Sequence, residues 1–387
     1  MLPAYQQFCQ GNTAVLPEGF TAIEKEAFSD NLDLVRVVIP STVTAIEDGA
    51  FRGCSNLKEV SIPESVLGIG NSAFCNCEKL SAIQLPKSLR YLGPFAFANS
   101  GLKSVTLATQ DEDFQMERGA FRDCPSLAEV TVECKYIGEH AFTNCENLER
   151  VSFGEGLRGI GEYAFADCPK ITIIKLQGNL RYLGDFAFAN AGLKSVSLAS
   201  QDEEFNMGKG VFQYCQDLVE AAVECRFIGD SAFDNCLNLE RVSFGESLRG
   251  IREFAFHECQ KLSAIELPGK LRYLGDFAFA NAGLKSVSLA SQDEEFDMGK
   301  GVFQYCQDLA QVNIDTKYVG QDAFAGCTKL QAVFVRPTTP PRGSRAMFDD
   351  SKAFILVPME SVEAYQGAEY WREYAHRIKA IPDPRLD

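Results

Sequence analysis

The chain has little of the chemistry that most enzymes use. Its 387 residues include only three histidines, His140, His257 and His376, and a single tryptophan, Trp371. Histidine is the side chain that most readily gains and loses a proton near neutral pH, and it is a common metal ligand. No Gly-rich phosphate loop, His-Glu-x-x-His helix or Gly-x-Ser-x-Gly elbow occurs in the sequence. We therefore expect no enzymatic activity, no cofactor and no metal site.

Basic residues and long apolar runs are also scarce. The chain has 37 Lys and Arg against 53 Asp and Glu, a net charge of −16, which argues against nucleic acid or an anionic membrane as a partner. No run of 18 apolar residues is present to cross a membrane. The segment 1–9 lacks the basic and apolar regions of a signal peptide. We expect a cytoplasmic protein if the chain is complete as written, and a secreted or cell-surface protein if a leader has been removed.

A short repeat runs through most of the chain. An Ala-Phe or Val-Phe pair recurs every 21 to 24 residues, with phenylalanine at 28, 51, 74, 97, 121, 142, 165, 188, 212, 233, 256, 279, 303 and 324. The spacings themselves repeat after 91 residues, so four units form a duplicated cassette. A period of this length is typical of leucine-rich repeats, in which one coil cannot bury its own apolar face and neighbouring coils must stack.

Residues 57–79 illustrate one repeat unit. The alternation in Leu57-Lys-Glu-Val60-Ser-Ile62 predicts a short strand, which Pro63 ends. The pair Ile69-Gly70 is expected to turn the chain, because glycine adopts backbone angles that other residues avoid. Phe74 is then expected to point inward from a short helical turn. The predicted fold is an α/β solenoid of mainly short parallel strands, a right-handed leucine-rich-repeat-like superhelix of about 14 coils with a C-terminal cap.

The cysteines follow the same repeat. Ten of the 14 lie three residues after a repeat phenylalanine: Cys54, Cys77, Cys124, Cys145, Cys168, Cys215, Cys236, Cys259, Cys306 and Cys327. A fixed position in every coil predicts an interior row of thiols that act as small hydrophobic side chains. Metal binding would need ligands that converge tetrahedrally, which a linear row does not supply. Buried unpaired thiols favour a reducing compartment.

The pattern Leu-x-x-Val-x-Ile-Pro followed by Val-x-x-Ile-Gly-x-x-Ala-Phe-x-x-Cys resembles the BspA-type leucine-rich repeat family. Residues 43–62 and 66–85 carry the pattern most clearly, and the resemblance covers roughly residues 20–335. The coils that begin at Leu102, Leu193 and Leu284 depart from it, because Leu-Ala and an acidic stretch replace the Ile-Pro ending. The resemblance implies a bacterial or protist protein that binds other proteins at the cell surface, as in adhesion to host matrix proteins.

The carboxyl end differs from the repeats. We expect a solenoid domain over residues 1–335, with an N-terminal cap in about residues 1–28, and a C-terminal cap over residues 336–387. The Pro-rich segment 336–343 marks the break between them. Within the cap, residues 354–358 predict a last strand, and residues 361–378 predict a closing helix with Ser361 as its N-cap. Trp371 is expected to be a cap residue.

Two surfaces are candidates for partner binding. The first is the expected concave strand face, whose outward residues are Glu59, Ser61, Ser104, Thr106, Glu129, Thr131, Arg150, Ser152, Ser195, Ser197, Arg241, Ser243, Ser286 and Ser288. The second is a set of acidic loops, Asp111, Glu112, Asp113, Asp202, Glu203, Glu204, Asp293, Glu294 and Glu295. The loops are expected to keep the solenoid soluble, with calcium or partner binding as alternatives. The strand face is favoured, because many weak contacts can add up along it even without an aromatic anchor.

The leading functional hypothesis is a non-enzymatic protein-interaction module, acting in bacterial surface adhesion or host-protein binding. An intracellular scaffold or spacer is the main alternative, and a solenoid that binds or acts on polysaccharides is a third. The partner is expected to be a protein, and a monomer is favoured. His140 and His257 have no periodic carboxylate or cysteine partner in the sequence, so both are expected to be surface residues.

Overall fold

The computed structural model describes residues 2–109, 111–200, 202–291, 293 and 295–382. The chain divides into two compact units, Met1–Leu193 and Lys194–Asp387. Each unit is a solenoid of coils whose strands pair in parallel, and the two together have about 16 turns. The predicted count of about 14 was too low. It rested on the Leu-x-x-Val-x-Ile pattern, which is lost near both ends, where further strands form at Thr13–Val15 and Ile378–Ala380. The last strand predicted over residues 354–358 is confirmed at Phe354–Val357.

One row of strands is built mainly from the Leu-x-x-Val-x-Ile segments, and strands without the pattern extend it at its ends. In the first unit its members are Thr13–Val15, Arg36–Val38, Glu59–Ser61, Ser104–Leu107, Glu129–Val132, Arg150–Phe153 and Ile173–Leu176. In the second unit they are Ser195–Ala199, Glu220–Glu224, Arg241–Phe244, Ser286–Leu289, Gln311–Ile314, Ala332–Val335, Phe354–Val357 and Ile378–Ala380. Residues 81–86 and 263–268 form no strand, although the pattern predicted one at each. Cys9–Gln10 pairs antiparallel with Thr13–Val15 and closes the row at the amino end.

A second row of two-residue strands was not predicted. In the first unit it comprises Ala22–Ile23, Ala45–Ile46, Gly68–Ile69, Tyr91–Leu92, Gln115–Met116, Tyr136–Ile137, Gly159–Ile160 and Tyr182–Leu183. In the second unit it comprises Asn206–Met207, Phe227–Ile228, Gly250–Ile251, Tyr273–Leu274 and Asp297–Met298. The isoleucine of each Ile-Gly pair is therefore the last residue of a strand, where the sequence predicted only a turn.

The repeated glycine after these strands serves close packing between coils. Gly70 does not have a positive φ angle, so the predicted role of unusual backbone angles is wrong at this position. A Cβ atom on Gly70 would lie 2.6 Å from the backbone nitrogen of Asp48, and one on Gly161 would lie 2.7 Å from that of Glu139. Glycine is needed here because the backbone of the preceding coil occupies the space of a side chain.

The repeat phenylalanines form a ladder inside each unit, as predicted. Every ring of the ladder, from Phe28 to Phe188 and from Phe212 to Phe348, is completely buried. Ring centroids of successive coils are 5.0–5.4 Å apart in the first unit. In the second unit they are 5.1–5.6 Å apart. Burial of this many aromatic rings supplies much of the hydrophobic stabilisation of the coils.

The ten ladder cysteines are also completely buried, but they are more than small hydrophobic side chains. The Sγ of Cys54 donates a hydrogen bond to the carbonyl oxygen of Phe28 at 3.1 Å, and Cys259 donates to that of Phe233 at 3.3 Å. The same bond to the phenylalanine of the preceding coil recurs at Cys77, Cys124, Cys145, Cys168, Cys236, Cys306 and Cys327. In the part of the chain that the structure describes, no two cysteines are joined by a disulfide. Burial raises the pKa of Cys54 to about 12, so its thiol stays protonated.

The predicted C-terminal helix is broken into three parts. A 3₁₀ turn covers Met359–Ser361, an α-helix covers Val362–Gly367, and a second 3₁₀ helix covers Trp371–Arg377. The α-helix ends because Ala368 is extended, and Ser361 makes no capping bond because its backbone is already helical. Trp371 is buried and donates from Nε1 to the carbonyl oxygen of Pro341 at 2.8 Å. Its indole therefore ties the terminal helices to the Pro-rich segment.

At the amino end a short helix, Pro3–Gln6, places the buried ring of Tyr5 5.2 Å from Phe28. Tyr5 therefore covers the first ring of the phenylalanine ladder, as a cap does. Met1 in the predicted N-terminal cap and residues 383–387 in the predicted C-terminal cap lie outside the described residues.

Candidate partner-binding surfaces

The strand face comprises the outward-pointing residues of the longer strand row. All 14 residues predicted for this face are exposed or half-buried, because successive side chains of a strand alternate between core and solvent. Strand register places them in two columns. Ser104, Glu129 and Arg150 are successive partners in one column, and Thr106, Thr131 and Ser152 are successive partners in the other. In the second unit the matching alignments are Ser195, Glu220 and Arg241, and Ser197, Ala222 and Ser243.

The charged residues of the strand face neutralise one another. Arg150 Nη2 lies 3.2 Å from Glu129 Oε2, and Arg241 Nη2 lies 3.1 Å from Glu220 Oε2. The arginine of each pair is more than half exposed, so solvent screens the attraction and the pair contributes little to stability. A partner can displace them at little cost, and a charged partner can re-form them with its own groups.

The carboxyl end of the row carries larger side chains that the sequence prediction missed. Phe334, Phe354 and Leu356 occupy outward positions, and Phe354 is 47% exposed. In the strand register Ala332 pairs with Phe354, and Phe334 pairs with Leu356. The prediction that the strand face lacks an aromatic cluster is therefore wrong for these last coils. The alternation in residues 332–335 and 354–357 was a signal that could have revealed them.

The acidic loops are only partly free surface. Asp111 Oδ1 accepts a hydrogen bond from the N–H of Asp113 at 2.9 Å, and its Oδ2 lies 2.7 Å from Arg90 Nε. Asp293 is held in the same way by the N–H of Glu295, at 3.0 Å, and by Arg272, at 2.7 Å. These bonds lower the pKa of Asp293. The first aspartate of the loop is thus a turn-forming residue.

The remaining loop carboxylates point outward. The exposed ones are Glu112, Asp113, Glu203, Glu204 and Glu295. Glu112 Oε2 lies 3.4 Å from Lys135 Nζ. Asp202 accepts a hydrogen bond from the N–H of Glu204 at 2.9 Å. Glu294, which belongs to the predicted set, lies outside the described residues. The phenylalanines that end the loops, Phe114, Phe205 and Phe296, are buried, so each loop is anchored at both ends.

Aromatic side chains also line the second strand row and the turns beside it. Tyr91, Tyr136 and Tyr182 are more than a third exposed. In the adjoining turns the rings of His140, Tyr163 and Phe186 stack at 4.9 and 5.0 Å. The stacked rings shield each other's faces and expose mainly their edges.

His257 is not the isolated surface residue that the sequence predicted. Its Nδ1 lies 2.9 Å from Oδ1 of the buried Asp234, and its Nε2 lies 3.8 Å from Glu258 Oε1. The hydrogen bond with Asp234 raises the pKa of His257 despite its partial burial. Asp234 precedes His257 by 23 residues, which is one coil, so the repeat itself brings them together.

Within the described part of the chain, no group of three or more His, Cys, Asp or Glu side chains is arranged to hold a metal ion. In the same residues, no helix combines the length and the apolar character needed to cross a bilayer.

Comparison with protein families identifies the repeat. The family model described as the BspA type leucine rich repeat region matches residues 4–128, 114–227 and 226–353. The chain belongs to the BspA-type leucine-rich repeat family. Among curated protein sequences, none matches the chain.

Solved structures of bacterial leucine-rich repeat proteins are similar to this BspA-type chain. One from Bacteroides ovatus is 27% identical, covers 96% of this chain and 92% of its own, and has a TM-score of 0.72. One from Eubacterium ventriosum is 19% identical and has a TM-score of 0.45, and the match covers 70% of this chain and 82% of that protein. The pneumococcal vaccine antigen PcpA is 17% identical and has a TM-score of 0.45, and the match covers 99% of this chain and 90% of PcpA. The Bacteroides protein shares the fold over nearly the full length of both chains.

Proposed function

We propose that this BspA-type repeat protein is a non-enzymatic binding module that recognises a host or bacterial surface protein through its strand face. The observation that carries the proposal is the register of that face, which brings a column of small side chains and a column of polar and charged side chains to the surface of each unit. Such a surface lets a partner approach the backbone closely and make many contacts of similar strength.

The strand face is a better candidate than the acidic loops. Asp111 and Asp293 are already bonded to their own turns and to arginines, and the loop phenylalanines are buried. The exposed carboxylates that remain have a sufficient role in keeping the chain soluble. Residues such as Ser152 and Ser243 have no comparable role in the fold.

The family supports a place at the cell surface or outside the cell, with adhesion as the role. The proposal is thus that the module attaches a bacterium to another protein. Its acidity, a net charge of −16, is compatible with a partner that carries basic segments.

Two matched variants test the surface assignment. The first replaces Arg150 and Arg241 by Glu, at equivalent positions of the cassette in the two units. The control replaces Arg118 and Lys300 by Glu, which are also exposed and equivalent but follow strands of the second row. Both double variants change the net charge by the same amount, so long-range electrostatic effects cancel in the comparison.

The partner for this test is obtained by capture from solubilised host matrix and bacterial surface proteins. We expect the Arg150 and Arg241 variant to bind that partner about tenfold more weakly, since two exposed pairs are replaced by like charges. The Arg118 and Lys300 control should bind within about twofold of the native chain. Loss of binding in the control alone, or equally in both, would place the partner elsewhere. A third variant replaces the exposed acidic-loop residues by Ser. If only this variant loses binding to the partner, the binding site lies in those loops.

A further inference from the structure

The last strands of the second unit form a patch unlike the rest of the strand face. Phe334, Phe354 and Leu356 are adjacent outward residues in the strand register, and Lys379 pairs with Leu356 on the next strand. The ammonium of Lys379 lies 3.9 Å from the centre of the Phe354 ring. We call Phe334, Phe354, Leu356, Lys352 and Lys379 the end patch. It combines large apolar side chains with cationic groups, whereas the columns that precede it carry small side chains and charged pairs that neutralise one another.

A cleft opens beside this patch. Its volume is about 580 Å³, and its lining includes Leu330, Gln331, Lys329, Lys352 and Phe354. Lys329 is paired with Asp308 at 2.7 Å. Lys352 and Lys379 form no salt bridge with any carboxylate of the described residues. Two cations of the cleft and patch are therefore available to an anionic ligand.

The local charge also differs from that of the whole chain. Residues 329–382 contain eight Lys or Arg against six Asp or Glu, a net charge of 8 − 6 = +2, in a chain whose total is −16. Solubility does not require lysines here, because the rest of the chain already supplies charge. An acidic ligand is repelled by most of this protein and attracted to this end, which would confine its binding to the patch.

We infer that the end patch anchors an acidic peptide segment of the partner protein, one that carries an aromatic or aliphatic side chain between its carboxylates. The apolar side chain rests on Phe334, Phe354 and Leu356, while the carboxylates pair with Lys352 and Lys379. Aromatic side chains are enriched at protein interfaces, where a few residues supply most of the binding energy, and Phe354 is the exposed ring of this patch. A sulfated or uronic polysaccharide is less suited, since it would leave these three apolar side chains without an apolar partner. The inference rests on the proposed function, because it names the anchor within the strand face.

A labelled peptide tests the anchor even before the partner is identified. The probe is a fluorescein-labelled hexapeptide, Asp-Glu-Phe-Asp-Glu-Leu, and its control replaces the acids by Asn and Gln. We expect the full chain to bind the acidic probe, and its affinity for this probe should fall as salt is added. The neutral control peptide should bind at least about tenfold more weakly than the acidic probe. Replacing Lys352 and Lys379 by Glu should weaken the acidic probe by about tenfold or more. The control variant has Arg118 and Lys300 replaced by Glu, so its net charge equals that of the Lys352 and Lys379 variant. It should bind the acidic probe within about twofold of the native chain.

Several outcomes overturn the inference. These are equal binding of acidic and neutral peptides, undiminished binding by the Lys352 and Lys379 variant, and equal weakening by the control variant. Binding of heparin but not of the peptide would make the patch a polysaccharide site. A dimer that is detected by ultracentrifugation and is lost in the Lys352 and Lys379 variant would make a second copy of this chain the occupant. A milder variant, Lys352 and Lys379 to Gln, serves if the charge reversal lowers the urea midpoint.

The captured partner separates this inference from the proposed function. Suppose that the Arg150 and Arg241 variant no longer binds the partner, whereas the Lys352 and Lys379 variant still does. The strand-face proposal is then supported, and the inference that the end patch is the anchor is wrong. If both variants retain the partner, the strand-face proposal and the anchor both fail.

Discussion

The buried thiol of Cys259 offers a sharp test of how neighbouring coils hold together. Its Sγ donates to the carbonyl oxygen of Phe233 at 3.3 Å, and the same oxygen accepts the N–H of Cys236 at 3.2 Å. Substitution of Cys259 by Ala removes the first bond and a buried sulfur atom, and leaves the second bond in place. The full cost of a buried carbonyl without a partner, about 1–3 kcal/mol, is therefore avoided.

We expect Cys259→Ala to lower the free energy of unfolding by about 1–2 kcal/mol, from the lost hydrogen bond and a small cavity. Cys259→Ser keeps a donor at the same position and should be at least as stable as the Ala variant. The chain itself tolerates Ser100, Ala191 and Ala282 at this position of other coils. Ser288→Ala, at an exposed position of the same unit as Cys259, is the control and should change stability by less than about 0.5 kcal/mol.

Trp371 provides the assay, because the single tryptophan is buried in the same unit as Cys259. Its fluorescence in a urea titration reports the unfolding of that unit, and the midpoint and slope give the free energy. A Ser variant clearly less stable than the Ala variant would show that the thiol acts only as a small hydrophobic group. The proposed role of the sulfur as a donor would then be refuted.

Three further predictions follow from single contacts. Gly70→Ala should destabilise the chain by about 2–4 kcal/mol in urea unfolding, because the new Cβ meets the backbone of the preceding coil, whereas Gly68→Ala should have little effect because nothing lies within 4 Å. The raised pKa of His257 means that its protonated ring stabilises the fold below about pH 6.5 and that this contribution is lost as the pH rises through the folded pKa. His257→Gln should therefore lower the urea midpoint more at about pH 5.5 than at about pH 8.5, and an equal loss at both would contradict the assignment. In the native state only the two half-buried cysteines, Cys9 and Cys75, should react quickly with a thiol reagent, and rapid reaction of the ladder thiols would contradict their burial.

The repeat made the coils predictable, and the contacts between coils were harder to foresee. The phenylalanine ladder and the exposure of Ser152 or Ser243 follow from spacing and alternation alone. The role of Gly70 depends on where the backbone of the preceding coil lies, which one unit cannot reveal. Phe354 was missed as a strand-face residue because its strand was assigned to the C-terminal cap, since the Pro-rich segment separates it from the repeats and Lys352 stands in register with Leu330.

The partners of His257 and the ladder cysteines could have been found by a simple rule. Residues about one period apart along the sequence lie side by side in adjacent coils, as Asp234 and His257 do at 2.9 Å. Applied to the charged residues, the same rule also pairs Glu129 with Arg150. When each coil is considered separately, these residues have no visible partner, which is why the sequence predicted an isolated His257.

Photo-crosslinking tests the central claim, that a partner binds the strand face, most directly. Benzoylphenylalanine is placed at Ser152 or Ser243 on the strand face, and at Gln115 or Asp297 on the second strand row, all of them exposed. With the captured partner bound, we predict crosslinks from positions 152 and 243 and only background from 115 and 297. Crosslinks from 115 and 297 with none from 152 and 243 would contradict the strand-face assignment.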